Sequence, residues 1–251
     1  MERKFISILS YLFAWICTFA IGSPLRSQSP HMENMKEIRV PRIEHQAKSS
    51  IHDVKEILTQ HAELHSIEVI NWPEFPYRPD VEFRIAHVGD ALWLVFYVTE
   101  NHILARQTRT NSATHLDSCV EFFIDPRKDG NYYNFEFNAI GTIHLAHGPN
   151  VRERRFLDPD LIESQIITYS SLGDQPLDRK NGVLSWDLSV IIPASILVHE
   201  EIEDWSGTIM HGNFFKCGDE TDTPHFLSWN PIQTERPSFH QPTFFGRLVF
   251  E

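Results

Sequence analysis

Glu121, Asn134, Glu136 and Asn138 recur at alternate positions in two aromatic-rich runs that flank the turn Pro126-Arg127-Lys128-Asp129-Gly130. A strand turns successive side chains to opposite faces. Val120, Phe122 and Ile124 then share one face with Tyr133, Phe135 and Phe137 and belong to a core. Glu121, Asn134, Glu136 and Asn138 share the other face, beside Phe123 and Tyr132. Carboxylates accept hydrogen bonds, and amides both accept and donate them. Planar polar groups next to rings suit a ligand with hydroxyls and C–H faces, which is the chemistry of a sugar. A merely solvated outer face shows the same alternation, so the density of amides and the adjacent rings carry the distinction.

The same carboxylates bound what catalysis is open. Glycosidases use two carboxyl groups roughly 5 to 9.5 Å apart. Asp117 and Glu121 share a face, but four residues of strand separate them by about 13 Å. Glu121 and Glu136, across the hairpin, are the pair that keeps a glycoside hydrolase as the alternative to binding alone. The sequence has no Gly-x-Ser-x-Gly, no phosphate-cradling glycine loop and no dinucleotide fingerprint.

The elements that must position these residues read as short strands. Val81, Phe83 and Ile85 alternate with Glu82 and Arg84, Gly89-Asp90 turns the chain, and Leu92 to Val98 is apolar on both faces, as in a central strand. Further strands are expected near 119–125, 132–147, 165–171, 183–191, 208–217 and 244–250, with loops at 99–116, 148–164, 172–181 and 218–243. Ser50-Ile51-His52-Asp53 resembles a capping box and predicts a short helix over 51–62. Residues 23–48 are polar without clear periodicity and read as a linker or loosely docked arm. The whole is an all-β, antiparallel sandwich of immunoglobulin-like or jelly-roll-like type with a short N-terminal helix, its domain spanning 61–251 after an arm over 23–60.

Arg3 and Lys4 precede an apolar run from Phe5 to Gly22, which predicts an export signal over residues 1–22 cleaved after Gly22; an uncleaved anchor is the alternative. Removing it changes the formal charge from −12 to −13. Such a surface repels phosphate backbones and disfavours nucleic acid as a partner. The expected location is periplasmic, cell-surface or extracellular, with no membrane insertion once the signal is gone. Cys119 and Cys217 remain, either as a disulfide or as two small buried residues.

The blocks "INWPEFPYRPDVEFRIAH", "DSCVEFFIDP", "YYNFEFNAIGT", "VIIPASI", "HGNFFKCGD" and "LSWNPIQTERPSFHQPTFFGRLVF" resemble, in order, those of carbohydrate-binding module family 9 and its relatives in secreted bacterial proteins. The resemblance runs from about Ile67 to the last residue. It implies a noncatalytic β-sandwich that binds glycans, in the best-known members the end of a plant polysaccharide held between two aromatic rings, with structural calcium in some. Glu121 matches the carboxylate of the family's D-x-x-x-E strand, and Asn138 lies in the amide-bearing partner strand. His115 stands roughly where the family commonly has a Trp, a departure that bears on the two-ring clamp. Trp229, followed by Asn230, stands in the block where an aromatic ligand residue is expected; core packing beside Phe226 and Leu227 is its other reading. A polysaccharide or oligosaccharide is the implied partner, with glycan-degrading enzymes as further partners.

The remaining candidates are basic or metal-ligating. Arg152, Arg154 and Arg155 stand in an otherwise acidic chain, and an arginine can fork to vicinal hydroxyls or a uronate; Arg152 is taken as the site residue. Arg106 and Arg109, in the polar loop before Asp117, carry the same possibility. His61 and His65 lack a third zinc ligand nearby. No cofactor is called for; Asp219, Glu220 and Asp222 form the one loop that suggests a structural calcium. A docking module of a polysaccharide-processing complex is the third class, since acidic sandwiches with exposed aromatics also bind proteins.

Overall fold

The structure, a computed structural model, describes residues 35–44 and 50–251; the expected signal segment lies outside the described residues. Fifteen strands are present among the described residues: β1 (Glu37–Val40), β2 (Arg42–Ile43), β3 (His65–Ser66), β4 (Val69–Ile70), β5 (Asp80–Val88), β6 (Ala91–Ala105), β7 (Cys119–Asp125), β8 (Tyr132–Asn138), β9 (Ile143–Gly148), β10 (Arg155–Phe156), β11 (Ile167–Ser170), β12 (Leu177–Pro193), β13 (Ile209–Cys217), β14 (Phe226–Ser228) and β15 (Gly246–Phe250). Two short α-helices, α1 (Val54–His61) and α2 (Pro159–Gln165), and three single 3-10 turns accompany them among the described residues. One sheet runs β1-β15-β13-β7-β8-β9-β10, with β14 paired to β13 and β4 to β14; the other runs β11-β12-β6-β5-β2, with β3 beside β5. No helix among the described residues is long and apolar enough to cross a membrane.

The sandwich core is built by the alternation. Val120, Phe122 and Ile124 of β7 and Tyr133, Phe135 and Phe137 of β8 are fully buried together with Phe83, Phe96 and Phe214. Phe214 stacks between the sheets, 3.8 Å from Phe83 and 4.7 Å from Phe122 in ring centroids. Helix α1 lays Val54 and Leu58 on the opposite face of the second sheet, against Ala86, Val88, Trp93 and Val95. That sheet is therefore covered on both sides, which is why Leu92 to Val98 is apolar throughout.

Several expected boundaries move. The segment read as a linker or docked arm contains β1 and β2, which pair in parallel with β15 and β5, against an expectation of antiparallel pairing alone. Ile38 and Val40 are buried and Glu37 and Arg39 exposed, so a four-residue alternation stands inside a polar stretch. The run 132–147 is two strands, β8 and β9, because Gly141 takes φ 83° in the turn between them. Part of the expected loops at 99–116 and 172–181 is strand: β6 and β12 stay paired out to Leu177 and Ala105, across two register shifts. The β12 end lies exposed while Ile103 and Ala105 of β6 return to the core, and polar residues such as Asn101, His102 and Asn181 between them hide the period. The loop expected at 148–164 holds β10 and α2, and that at 218–243 holds β14.

A buried ion pair ties the two sheets together. Lys216 Nζ of β13 lies 3.1 Å from Glu100 Oε2 of β6, both side chains fully buried. Trp186 Nε1 donates to Glu100 Oε1 at 2.8 Å, and Lys216 donates to His225 Nε2 at 2.8 Å. Burial, reinforced by Lys216, pushes the His225 pKa well down, so its ring is neutral and its Nδ1–H donates to the Thr223 carbonyl. Removing one partner of such a pair strands the other charge. Lys216→Met is expected to destabilise the fold by about 3–5 kcal/mol, and adding Glu100→Gln to recover part of that loss, both measured by denaturant unfolding.

Candidate functional site

The polar face of β7 and β8 is not open to solvent. Glu121 pairs directly with Glu136, Cys119 with Asn138 and Phe123 with Asn134, while β13 sets Phe215 and Cys217 beside Glu121 and Cys119. Loops from both ends fold over this floor. Phe239 stacks on Phe215 at 4.3 Å, and Trp72, Ile232 and Phe245 close a second apolar cluster around Phe123 and Tyr132. What remains is a cavity of about 280 Å³ with Glu121, Glu136 and Cys217 at its base and His115, Val151, Arg154, Asp219, Phe226, Phe239 and His240 around it.

Buried carboxylates must be paired or protonated, and the two on this floor take different routes. Glu136 Oε1 accepts from Asn134 Nδ2 at 2.9 Å and Oε2 from Thr114 Oγ1 at 3.1 Å. Arg154 and His144 approach Oε1 at 3.6 Å each, and His115 approaches Oε2 at 3.8 Å. Burial works to raise the Glu136 pKa, but His115, His144 and Arg154 overcome it and hold the carboxyl at about 2. Glu121 has no cation of its own: burial, and then the Glu136 charge, push it well above the usual carboxylate range. Its Oε1 accepts from Cys217 Sγ at 3.1 Å. The floor thus sets a carboxyl held anionic beside one whose protonated form is favoured.

The walls are held by the same economy of partners. Arg154 donates through one guanidinium nitrogen to His240 Nε2 at 3.1 Å. Burial and Arg154 depress the His240 pKa to about 4, so the ring is neutral and its Nδ1–H donates to Tyr132 Oη at 2.8 Å. His115 reaches the rim because the Asp117 carboxylate accepts the backbone N–H groups of Arg106 and Gln107, and Asn138 Nδ2, at 2.8–3.0 Å. Glu136 raises the His115 pKa against burial. Burial pushes the Asp219 carboxyl up to about 6, with Glu136 adding to the shift and His115 opposing it.

Of the sequence candidates, His115, Glu121 and Glu136 border the cavity, and Asn134 braces Glu136 from below. Asn138 is spent on structure: it ties Asp117 and the Gln107 carbonyl to the turn at Ile140 and Thr142. Trp229 is a correction. It lies in the sandwich core with only 4% of its surface exposed, edge-on to Phe214, and its ring fills the space over Gly246, where a Cβ would fall 2.3 Å from Cζ3. Asn230 is likewise structural, bridging the Lys36 N–H to the Phe244 carbonyl. Arg106 pairs with exposed Asp178, and Arg109 is not among the cavity residues. Arg152 is exposed in the turn where Asn150 accepts its backbone N–H; Arg154 is the arginine of this segment that enters the site.

Cys119 and Cys217 are free thiols, buried opposite one another, and burial raises both pKa values, that of Cys119 to about 11. With Glu121 they form a group of donor atoms lying within 4.8 Å of one another, a sulfur-rich set unlike the all-oxygen shell calcium takes. The expected calcium loop does not converge: Asp219 faces the cavity, while Asp222 pairs with Arg179.

The model of carbohydrate-binding family 9 matches residues 52–250. The chain belongs to carbohydrate-binding family 9. Among solved structures, a protein of Bacteroides uniformis ATCC 8492 to which carbohydrate binding has been ascribed is 38% identical, with a TM-score of 0.83 over 86% of this chain and all of the other. A family 9 module of Caldicellulosiruptor kristjanssonii, solved with cellotriose, is 15% identical with a TM-score of 0.55, over 86% of this chain and 94% of its own. A family 9 module of the same organism solved with glucose is 14% identical with a TM-score of 0.55, over 86% of this chain and 96% of its own. At those identities the likeness is one of fold, and it places this family 9 chain among β-sandwiches. No curated protein matches the chain.

Asp219 supplies a test of the site's electrostatics. Its folded pKa lies above the unfolded value of 3.8, so its ionisation subtracts stability fully above about pH 6 and not at all below pH 3.8. Asp219→Asn is therefore expected to raise the Tm at pH 7.5 and to leave it unchanged at pH 3.5, by thermal unfolding at both values.

Proposed function

We propose that this family 9 protein binds a saccharide in the cavity over Glu121 and Glu136 and leaves it chemically unchanged. The observation that carries the reading is a cavity of about 280 Å³ that brings the rings of Phe226 and Phe239 together with Glu121, Glu136, His115, Arg154 and Asp219. Protonated Glu121 donates to a sugar hydroxyl, and Asp219, Arg154 and His115 offer further acceptors and donors at the rim. Phe239 and Phe226 present ring surface to the C–H face of a pyranose, so each group stripped of water finds a partner. The volume suits one sugar ring, which makes a chain end or a short branch the form recognised.

The split between Glu121 and Glu136 resembles that of an acid–base pair, yet their placement speaks for binding. The two residues are direct neighbours on adjacent strands, so their carboxyls lie side by side under a ligand, whereas hydrolysis needs them on either side of the scissile bond. Each oxygen of Glu136 accepts a hydrogen bond from a protein side chain, which fixes the carboxylate in the floor of the cavity. The protein is read as an exported component of glycan degradation, with the N-terminal run removed; mass spectrometry of protein from its host is expected to find Ser23 first, and an intact Met1 would favour an anchor.

A glycan array followed by calorimetric titration tests the binding reading. Glu121→Gln is expected to weaken the best array ligand by about 1–3 kcal/mol with little change in Tm, and Arg154→Ala to weaken it by a similar amount while also lowering the Tm, because Arg154 partners buried Glu136. Trp229→Phe is expected to lower the Tm and leave Kd unchanged. Release of reducing sugar from candidate polysaccharides, lost in Glu121→Gln, would move the assignment to a hydrolase.

A further inference from the structure

Phe156 is 58% exposed, the most exposed aromatic ring among the described residues, and it is not loose. Strand β10 pairs with β9 through Phe156 and Ala146, and Ala146 pairs with Asn134 of β8. Alternation therefore puts the Phe156 ring on the same sheet face as Glu136 and His144, at the sheet's edge. His144 meets the ring edge-on at 5.0 Å between centroids, and the Arg154 guanidinium carbon lies 6.0 Å from its centre. Both neighbours are residues that also hold Glu136. Val151, half exposed, belongs with Arg154 to the cavity wall that the same segment supplies. Ala146, which stands between Phe156 and Asn134 in the row, is fully buried.

A lone exposed apolar side chain needs no special explanation. Two things set Phe156 apart: it continues the sheet face that carries Glu136, and the two residues against its ring, His144 and Arg154, are residues that also hold Glu136. The strands carrying Glu136 and Phe156 are two sheet spacings apart, about 10 Å, which linked pyranose rings bridge. We propose that Phe156 is the stacking platform of a second sugar subsite, which receives the next pyranose unit of an oligosaccharide whose end occupies the cavity, with Arg154 donating to hydroxyls of both units. The site then reads a short oligosaccharide rather than a free monosaccharide. This inference rests on the saccharide-binding reading of the cavity.

The test titrates wild type, Phe156→Ala and Phe156→Trp with matched pairs: glucose and cellotriose, xylose and xylotriose, mannose and mannotriose, galacturonate and its trimer. For the pair that binds, wild type is expected to prefer the trisaccharide. Phe156→Ala is expected to weaken the trisaccharide roughly tenfold and the monosaccharide less than twofold, with Phe156→Trp at or above wild type for the trisaccharide. Equal losses for both lengths, or an unchanged trisaccharide Kd, would overturn the subsite while leaving the cavity's role intact. Failure of every pair to bind wild type would overturn the cavity reading and this inference together.

Discussion

Two glutamates that face each other across β7 and β8 with almost no exposure set the terms for everything around them. The strands turn Val120, Phe122, Phe135 and Phe137 into the sandwich, so Glu121 and Glu136 must lie on the outer face, and the covering loops then take them out of water. A buried carboxylate without partners costs several kcal/mol. Glu136 meets that cost by gathering Thr114, Asn134, His115, His144 and Arg154; Glu121, left without a cation, keeps its proton. The convergence of four loops on one spot is the structural consequence. A cavity with a donor and an anion fixed at its base is the chemical one.

The rest of the fold holds that floor flat and still. Lys216 and Glu100 join β13 to β6 through the core, and β13 is the strand that sets Phe215 and Cys217 beside the glutamates. Asp117 and Asn138 pin the loop that carries His115, and His240 is fixed between Tyr132 and Arg154. A rigid set of donors and acceptors loses little freedom when a ligand binds, which is how a small cavity gains affinity and selectivity.

The floor of the site could be read from the sequence because it depends only on a period of two. Alternation placed Glu121, Asn134 and Glu136 on one face, and the hairpin register made the two glutamates neighbours. The walls depend on loop paths, which have no period. Arg152, Arg154 and Arg155 look alike in sequence, and only the turn, in which Arg154 donates its backbone N–H to the Asn150 carbonyl, decides which one points inward. His240 and Phe239 sit in a stretch punctuated by Pro237 and Pro242, where aromatic residues in a loop were the available sign that it folds back on the sheet. Trp229 was misplaced because its environment is made by Gly246, far along the chain, whose missing side chain opens a slot for the indole. Asn138 shows that a correct face does not fix a role: its amide spans two backbone segments and has nothing left for a ligand.

The most direct test is a crystal structure of the protein with the oligosaccharide that an array selects. The expected result is density for a sugar ring over Glu121 and Glu136, in contact with Arg154 and one of Phe226 or Phe239, and with no sugar near Trp229. An ordered sugar on the sheet beneath α1, or at Arg106, with this cavity filled only by water, would contradict the assignment.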